Sequence, residues 1–280
     1  MNAVVLAGGP HDAVAALESD APNKAFVRIG GVALVTRVLS ALRATPAVTH
    51  IIVVTPPSMH GDAAIADADE CRPDGVRMAD SLRSGIHGLP QDERVLIVPS
   101  DLPFVTREAL EEFIRIVGER DPDLAYACLE RTIHEATYPG APHTWARLRE
   151  GSFCGGGAIA LKPSILDKLE GFLDRLGAAR KNPLRLAALF GWDVLLRFAL
   201  GNLDIADVES RASSLLGARA IGVPCGHAEI AFNIDRVSDV PLAESFLPIA
   251  SSSRSVSDVA VKRNTRNVSD ESSVRQTPRW

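Results

Sequence analysis

The chain has 280 residues, 46% hydrophobic and 23% charged, enough to build a sizeable core in one or two domains. Its formal charge of −5 hides a split: residues 251–280 carry six Lys/Arg against three Asp/Glu, so the first 250 residues are more acidic than the whole. An acidic body argues against nucleic acid as the main partner, because a phosphate backbone needs a basic face; nucleotides stay open, since glycine loops, a cation or two and Mg²⁺ suffice to hold them.

The opening MNAVVLAGGP has no basic leader region, and no stretch approaches the ~20 apolar residues of a membrane span. Cys71, Cys128, Cys154 and Cys225 stand far apart without a CxxC pair, so neither a disulfide framework nor a zinc site is expected. The expectation is a cytoplasmic protein without membrane contact. Residues 249–280 hold eight Ser and no Leu, Ile or Phe after residue 250, too little apolar surface to offset ordering entropy. They are expected to be a disordered tail behind one folded domain, 1–248.

Within that domain, short apolar runs alternate with helical patterns. Residues 3–7 (AVVLA) end in Gly8-Gly9, residues 50–55 (HIIVVT) in Pro56-Pro57, and residues 94–98 (RVLIV) in Pro99. Such runs suit strands covered on both faces, as in a parallel sheet. Residues 123–128 and 218–223 are weaker strand candidates. Helices are expected over 31–44, over 107–118 behind a Thr106 cap, after Ser164, and over the very apolar 183–200, which begins at a proline. The alternation implies an α/β three-layer sandwich, Rossmann-like, in which ligands sit at the carboxyl ends of the strands. The apolar helices of 183–217 suit either an inserted core lobe or a dimer interface, so monomer and homodimer both stand.

Several residues at those strand ends carry chemistry. Gly8 and Gly9, after Leu6-Ala7, suit either a tight turn or a loop whose N–H groups meet phosphate oxygens. The run is neither a P-loop nor a GxGxxG fingerprint, and Gly155-Gly156-Gly157 fails the same tests. Lys24 returns near the first loop and is suited to phosphate. Asp101, in Ser100-Asp101-Leu102-Pro103-Phe104, is either a turn former or a ligand for a hard divalent cation. Asn233 and Asp235 share one face of the last extended segment.

Taken in order, Val5-Leu6-Ala7-Gly8-Gly9, Lys24, Asp101-Leu102-Pro103-Phe104 and Asn233-Ile234-Asp235 with Asp239 resemble the nucleotidyltransferase superfamily with a GT-A-type fold, and most closely its MobA-like NTP transferase branch. The resemblance spans about 1–245 and implies a mixed, mostly parallel sheet. It assigns Leu6, Ala7, Gly8, Gly9 and Lys24 to the triphosphate, Asp101, Asp235 and Asn233 to Mg²⁺ (or Mn²⁺), and Ser81 and Gly85, in an SLxxGL-like segment, to the base or ribose. Cys154-Gly155-Gly156-Gly157 is similar to the glycine-bearing strand on the acceptor side. One departure stands out: the family's loop arginine is missing from Gly9-Pro10-His11-Asp12, with Arg28 and His11 as possible substitutes.

What the resemblance implies is transfer of a nucleoside monophosphate from an NTP to a phosphorylated small-molecule acceptor, with Lys24 and Asp101 catalytic. His143, Trp145, Arg147, Gly156 and Lys181 are the acceptor-side candidates. Two other readings compete: a GT-A glycosyltransferase using a nucleotide sugar, which needs a DxD-type motif where Ser100-Asp101-Leu102 offers one Asp, and a degenerate nucleotide-binding regulatory protein, suggested by the missing arginine.

Overall fold

The three continuous apolar runs form the middle of the sheet in a computed structural model, which describes residues 1–179 and 189–247. In chain order the elements are β1 (Asn2–Leu6), a ribbon of β2 (Arg28–Ile29) and β3 (Val32–Ala33), α1 (Leu34–Ala44), β4 (His50–Thr55), β5 (Glu70–Pro73), α2 (Met78–Ile86) and β6 (Val95–Pro99). There follow α3 (Arg107–Arg120), β7 (Leu124–Glu130), α4 (Arg131–Thr137), β8 (Ala146–Arg147), β9 (Ser152–Leu161) and α5 (Leu166–Ala179). The last are α6 (Trp192–Ala199), α7 (Ile205–Leu216), β10 (Ala220–Cys225) and α8 (Asp239–Phe246).

The strands form an eight-stranded sheet in the order β10-β7-β9-β6-β1-β4-β5, with β8 added to β9. The pairs β1–β4, β1–β6, β4–β5 and β7–β10 are parallel, whereas β9 runs antiparallel to β6 and β7. Alternate residues feed two cores. Val5, Ile51, Val53 and Val98 pack with Leu39 of α1 and Phe113 of α3; Val4, Ile52, Val54 and Ile97 pack on the other face with Ile86 of α2 and Leu166 of α5. The result is an α/β three-layer sandwich with a mixed, mostly parallel sheet, as the alternation implied.

Local departures have local causes. The helix expected from residue 31 starts at Leu34, because Gly30 and Gly31 take positive φ (59° and 81°) to turn the β2–β3 ribbon. Thr106 caps α3 as expected, its hydroxyl accepting the Ala109 N–H at 3.3 Å. Ser164 is not a helix cap: it sits inside a 3₁₀ turn, Pro163–Ile165, that leads into α5. The apolar run 183–200 is not one helix through its described part, since Gly191 at φ 94° breaks it before α6. Trp192, Leu196 and Leu200 at that end are each exposed. Lys181, residues 183–188 of the expected apolar helix and the expected 249–280 tail lie outside the described residues. Among the described residues no helix is long and apolar enough to cross a membrane.

Candidate active site

β1 and β6 are parallel neighbours, so the Gly8-Gly9 loop and the Asp101 turn emerge side by side at the carboxyl ends of the central strands. Backbone bonds lock these ends: Ser100 N–H donates to the Leu6 carbonyl (3.2 Å) and Ala7 N–H to the Val54 carbonyl (2.8 Å). The distant 232–235 segment joins them because Ile234 N–H donates to the Asp101 carbonyl (3.0 Å). That bond and the edge-on Phe104–Phe232 contact (5.0 Å between ring centroids) tie the 232–235 segment to the Asp101 turn.

Lys24 is aimed there by Asn23, a buried residue with all its reach in use. Its Nδ2 donates to the Ala7 carbonyl (2.9 Å) and its Oδ1 accepts the Ala25 N–H (2.9 Å), capping a 3₁₀ turn over Lys24–Phe26. From that turn Lys24 Nζ reaches Asp101 Oδ2 at 2.6 Å and Asp235 Oδ1 at 3.3 Å. Burial pulls the ammonium's pKa down, but the two carboxylates outweigh it and leave Lys24 above the ordinary lysine value. Burial raises the Asp101 carboxyl despite Lys24, and Asp235 adds to the rise. Asn233 Nδ2 donates to Asp235 Oδ2, while Asp239 Oδ2 accepts both the Asp235 (2.9 Å) and Arg236 (2.8 Å) N–H groups and fixes the turn.

The glycine loop has an acidic neighbour. Gly9 N–H donates to Asp74 Oδ2 (3.2 Å), and a Cβ on Gly8 would lie 2.4 Å from that of Asp74, so only glycine admits this approach. Asp74 stands on the connection from β5 to α2. Ser81 of α2 braces this connection by accepting the Gly75 N–H (2.9 Å). Gly85 lies against the sheet, where a Cβ would come within 2.5 Å of Val4 Cγ1. Arg28 does not fill the place of the missing loop arginine: it is paired with Glu18 (2.6 Å) and Asp20 (3.1 Å) and lines a separate cavity with Thr36 and Met59. His11 is exposed on the loop.

Beside Asp235 opens a polar cavity of about 420 Å³, lined by Asn233, Asp235, Arg236, Asp239, His143 and Tyr126 among others. Of the four acceptor-side candidates among the described residues, the structure brings His143 to this cavity. Trp145 instead packs edge-on to the buried His134 (5.5 Å between ring centroids), with Arg131 above its face at 5.8 Å. Arg147, on the exposed side of β8, lies against Gly201. Gly156 sits in β9 where a Cβ would meet Ala127 Cβ at 2.9 Å, at the bulge between Tyr126 and Cys128.

Sequence reasoning missed Arg236, Asn23 and Asp74. Arg236 faces the cavity and has no ion pair among the described residues. Its only sequence signal was its place after Asn233-Ile234-Asp235. Asn23 was visible as an Asn before a short turn, the pattern of an N-cap.

Comparison with known proteins now gives the class. The model of the MobA-like NTP transferase domain matches residues 3–179, and the chain belongs to that family of nucleotidyltransferases. A hypothetical transferase from Thermus thermophilus is 34% identical, with a TM-score of 0.73 over 85% of this chain and 98% of its own. The fold is shared with 4-diphosphocytidyl-2C-methyl-D-erythritol synthase of Anaerococcus prevotii (13% identity, TM-score 0.54, 88% of this chain and 94% of that one). It is shared as well with a CMP:2-keto-3-deoxy-manno-octonic acid synthetase solved with CTP (14% identity, TM-score 0.54, 88% and 98%). No curated protein matches the chain.

Proposed function

We propose that this nucleotidyltransferase moves a nucleoside monophosphate from an NTP to a phosphorylated small molecule and releases pyrophosphate. The observation that carries the reading is Lys24 held between Asp101 and Asp235 beside the glycine loop. An oxygen of the acceptor phosphate attacks the α-phosphorus in line, the bond from that phosphorus to the bridging oxygen breaks, and pyrophosphate leaves. No protein nucleophile is required. The chain's task is to position two anions and offset their charge.

Lys24 places a fixed cation where the triphosphate lies, and the Gly8 and Gly9 amides offer it N–H groups once Asp74 releases Gly9. The Asp74–Ser81 connection, facing the same loop, borders the nucleoside; Ser81 and Gly85 act by shaping it rather than by reading the base. Arg236 and His143 line the acceptor side, and Arg236 supplies a cation for the incoming phosphate.

The donor set fits a hard divalent cation. Asp101, Asp235 and the Asn233 side-chain oxygen would hold Mg²⁺ or Mn²⁺, with phosphate oxygens and water completing the shell, as suits an ion that uses few protein carboxylates. Among the described residues no group of three or more His, Cys, Asp or Glu stands together as a metal cage. When bound, such an ion supplies further charge neutralisation at the α-phosphate and the leaving pyrophosphate.

The test is pyrophosphate release with each NTP, Mg²⁺ and a panel of phosphorylated acceptors. Turnover that survives undiminished in Asp101→Ala refutes the assignment. Nucleotide binding without turnover across the panel favours the regulatory alternative.

A further inference from the structure

A second cavity, of about 310 Å³, lies between α7 and the outward face of β7 and β10. Strand alternation makes its inner wall: Ala125, Ala127 and Leu129 enter the core, so Leu124, Tyr126 and Cys128 face the other way. Ile205, Val208 and Ala212 of α7 close it from outside. Its one charged lining residue, Glu209, is already engaged by Arg120 (2.8 and 3.0 Å) and by the Gly222 N–H (3.0 Å). Burial pushes the Cys128 thiol up to about 11, so it stays neutral. Apart from the Tyr126 hydroxyl at the boundary, these walls hold, among the described residues, no free polar side chain of Asp, Glu, Lys, Arg, His, Asn or Gln.

The cavity is open to solvent at its rim, where Tyr126 and Val208 are exposed. Polar struts one helical turn apart set the helix at this distance. Glu209 holds Gly222 and Arg120, while the Ser213 hydroxyl donates to the Ala220 carbonyl (3.1 Å) and accepts its N–H (2.9 Å). At Gly222 the strand has no side chain to fill the space, and a Cβ there would meet Cys128 and Ile205 only at 3.8–3.9 Å.

The apolar cavity adjoins the polar one: Tyr126 and Gly155 line both. A Cβ on Gly155 would lie 2.1 Å from the Tyr126 hydroxyl oxygen, so the absence of a side chain lets the phenol lie over β9. The β7–β9 bulge falls at the same point. Tyr126 thus stands at the boundary with an apolar ring and one polar tip.

We propose that the acceptor is an amphiphile: its phosphate occupies the polar cavity beside Asp235 and Arg236, and an aliphatic or isoprenoid-like tail passes Tyr126 into the apolar cavity under α7. This rests on the nucleotidyl-transfer reading and deepens it. The two cavities each fall within the ~300–1,000 Å³ of ligand pockets, but the second has no chemistry to offer except removal of hydrocarbon from water.

The test is calorimetric binding of inorganic phosphate, glycerol phosphate and butyl, hexyl, octyl and dodecyl phosphate to the full chain with Mg²⁺ and a non-hydrolysable NTP analogue. Affinity is expected to rise roughly fourfold per methylene and then level off as the cavity fills. Ala212→Phe should flatten the rise and leave affinity for the NTP analogue unchanged. Should that variant not fold, Ile205→Ala is read instead, and it should move the plateau to longer chains. A flat series in the parent protein, or a folded Ala212→Phe variant with an unaltered slope, or (where Ile205→Ala is read instead) an unmoved plateau, overturns the amphiphile. Pyrophosphate release from NTP at full rate with glycerol phosphate as acceptor, beside a flat series, removes the tail and leaves nucleotidyl transfer standing; failure to bind any NTP analogue strikes the underlying reading.

Discussion

Lys24 and Asp101 are 77 positions apart in the chain and 2.6 Å apart in space. Neither side chain is far from its backbone anchor: Lys24 projects from a turn capped by Asn23, and Asp101 follows β6, locked by Ser100 to β1. The pair is mostly buried, and Asp235 approaches the same ammonium from a third segment. Three chain segments therefore meet on one cation.

Removing that cation is expected to harm both chemistry and folding. Lys24→Met should lower pyrophosphate release by roughly 10²–10³-fold, the usual loss when one preorganised charge partner of a transition state is removed. It also leaves Asp101 buried beside Asp235 without compensation, a destabilisation of about 3–5 kcal/mol for a buried pair broken on one side. The double variant Lys24→Met/Asp101→Asn should melt above the single one. A double-mutant cycle by thermal melting checks this, and simple additivity would contradict it.

Asn23→Ala is expected to cost about 1–3 kcal/mol, because it strips the Ala25 N–H of its side-chain partner and leaves the buried Ala7 carbonyl only the longer Thr55 hydroxyl bond (3.4 Å). Urea denaturation measures that cost. The rate of transfer should fall as well, since Lys24 loses the turn that aims it, whereas mutation of the exposed His11 should change neither quantity.

Two helix glycines should respond oppositely to alanine. At Gly85 the added methyl meets Val4 Cγ1 at 2.5 Å and Val54 Cγ2 at 2.9 Å, so overpacking should cost about 1–3 kcal/mol. At Gly118 in α3 it meets nothing within 4 Å, and Gly118→Ala should stabilise by about 0.4–1 kcal/mol. Melting temperatures that move the same way in both variants would refute the packing account.

His134 predicts an acid-side loss of stability. It is fully buried among Tyr138, His143 and Trp145, and neither ring nitrogen has a partner among the described residues. Burial and His143 lower its pKa to about 4. Below about 6.5 the unfolded chain takes up a proton that the folded chain refuses, so stability falls as pH drops from about 6.5 toward 4. The slope approaches about 1.4 kcal/mol per pH unit for one proton. Denaturation midpoints across that range check it, and His134→Gln should flatten the profile.

The sequence by itself determined the layered α/β sheet and which residues stand at the ends of its central strands. Buried strands advertise themselves as unbroken apolar runs, and the residues at their ends, Gly8, Gly9 and Asp101, inherit their position from the strand. Short or polar pieces were not legible: β5 reads Glu-Cys-Arg-Pro and β8 is two residues long, so neither carries a burial period. Only the tertiary structure decided which distant segments meet. The Ile234–Asp101 backbone bond brings Asp235 to Lys24, and backbone pairing leaves no mark on side-chain pattern. The same reason separates His143, which reaches the polar cavity, from Trp145 and Arg147, which stand two and four residues on and pack elsewhere. Periodicity reports which face of an element is buried; what that face is buried against depends on long-range contacts that no local window contains.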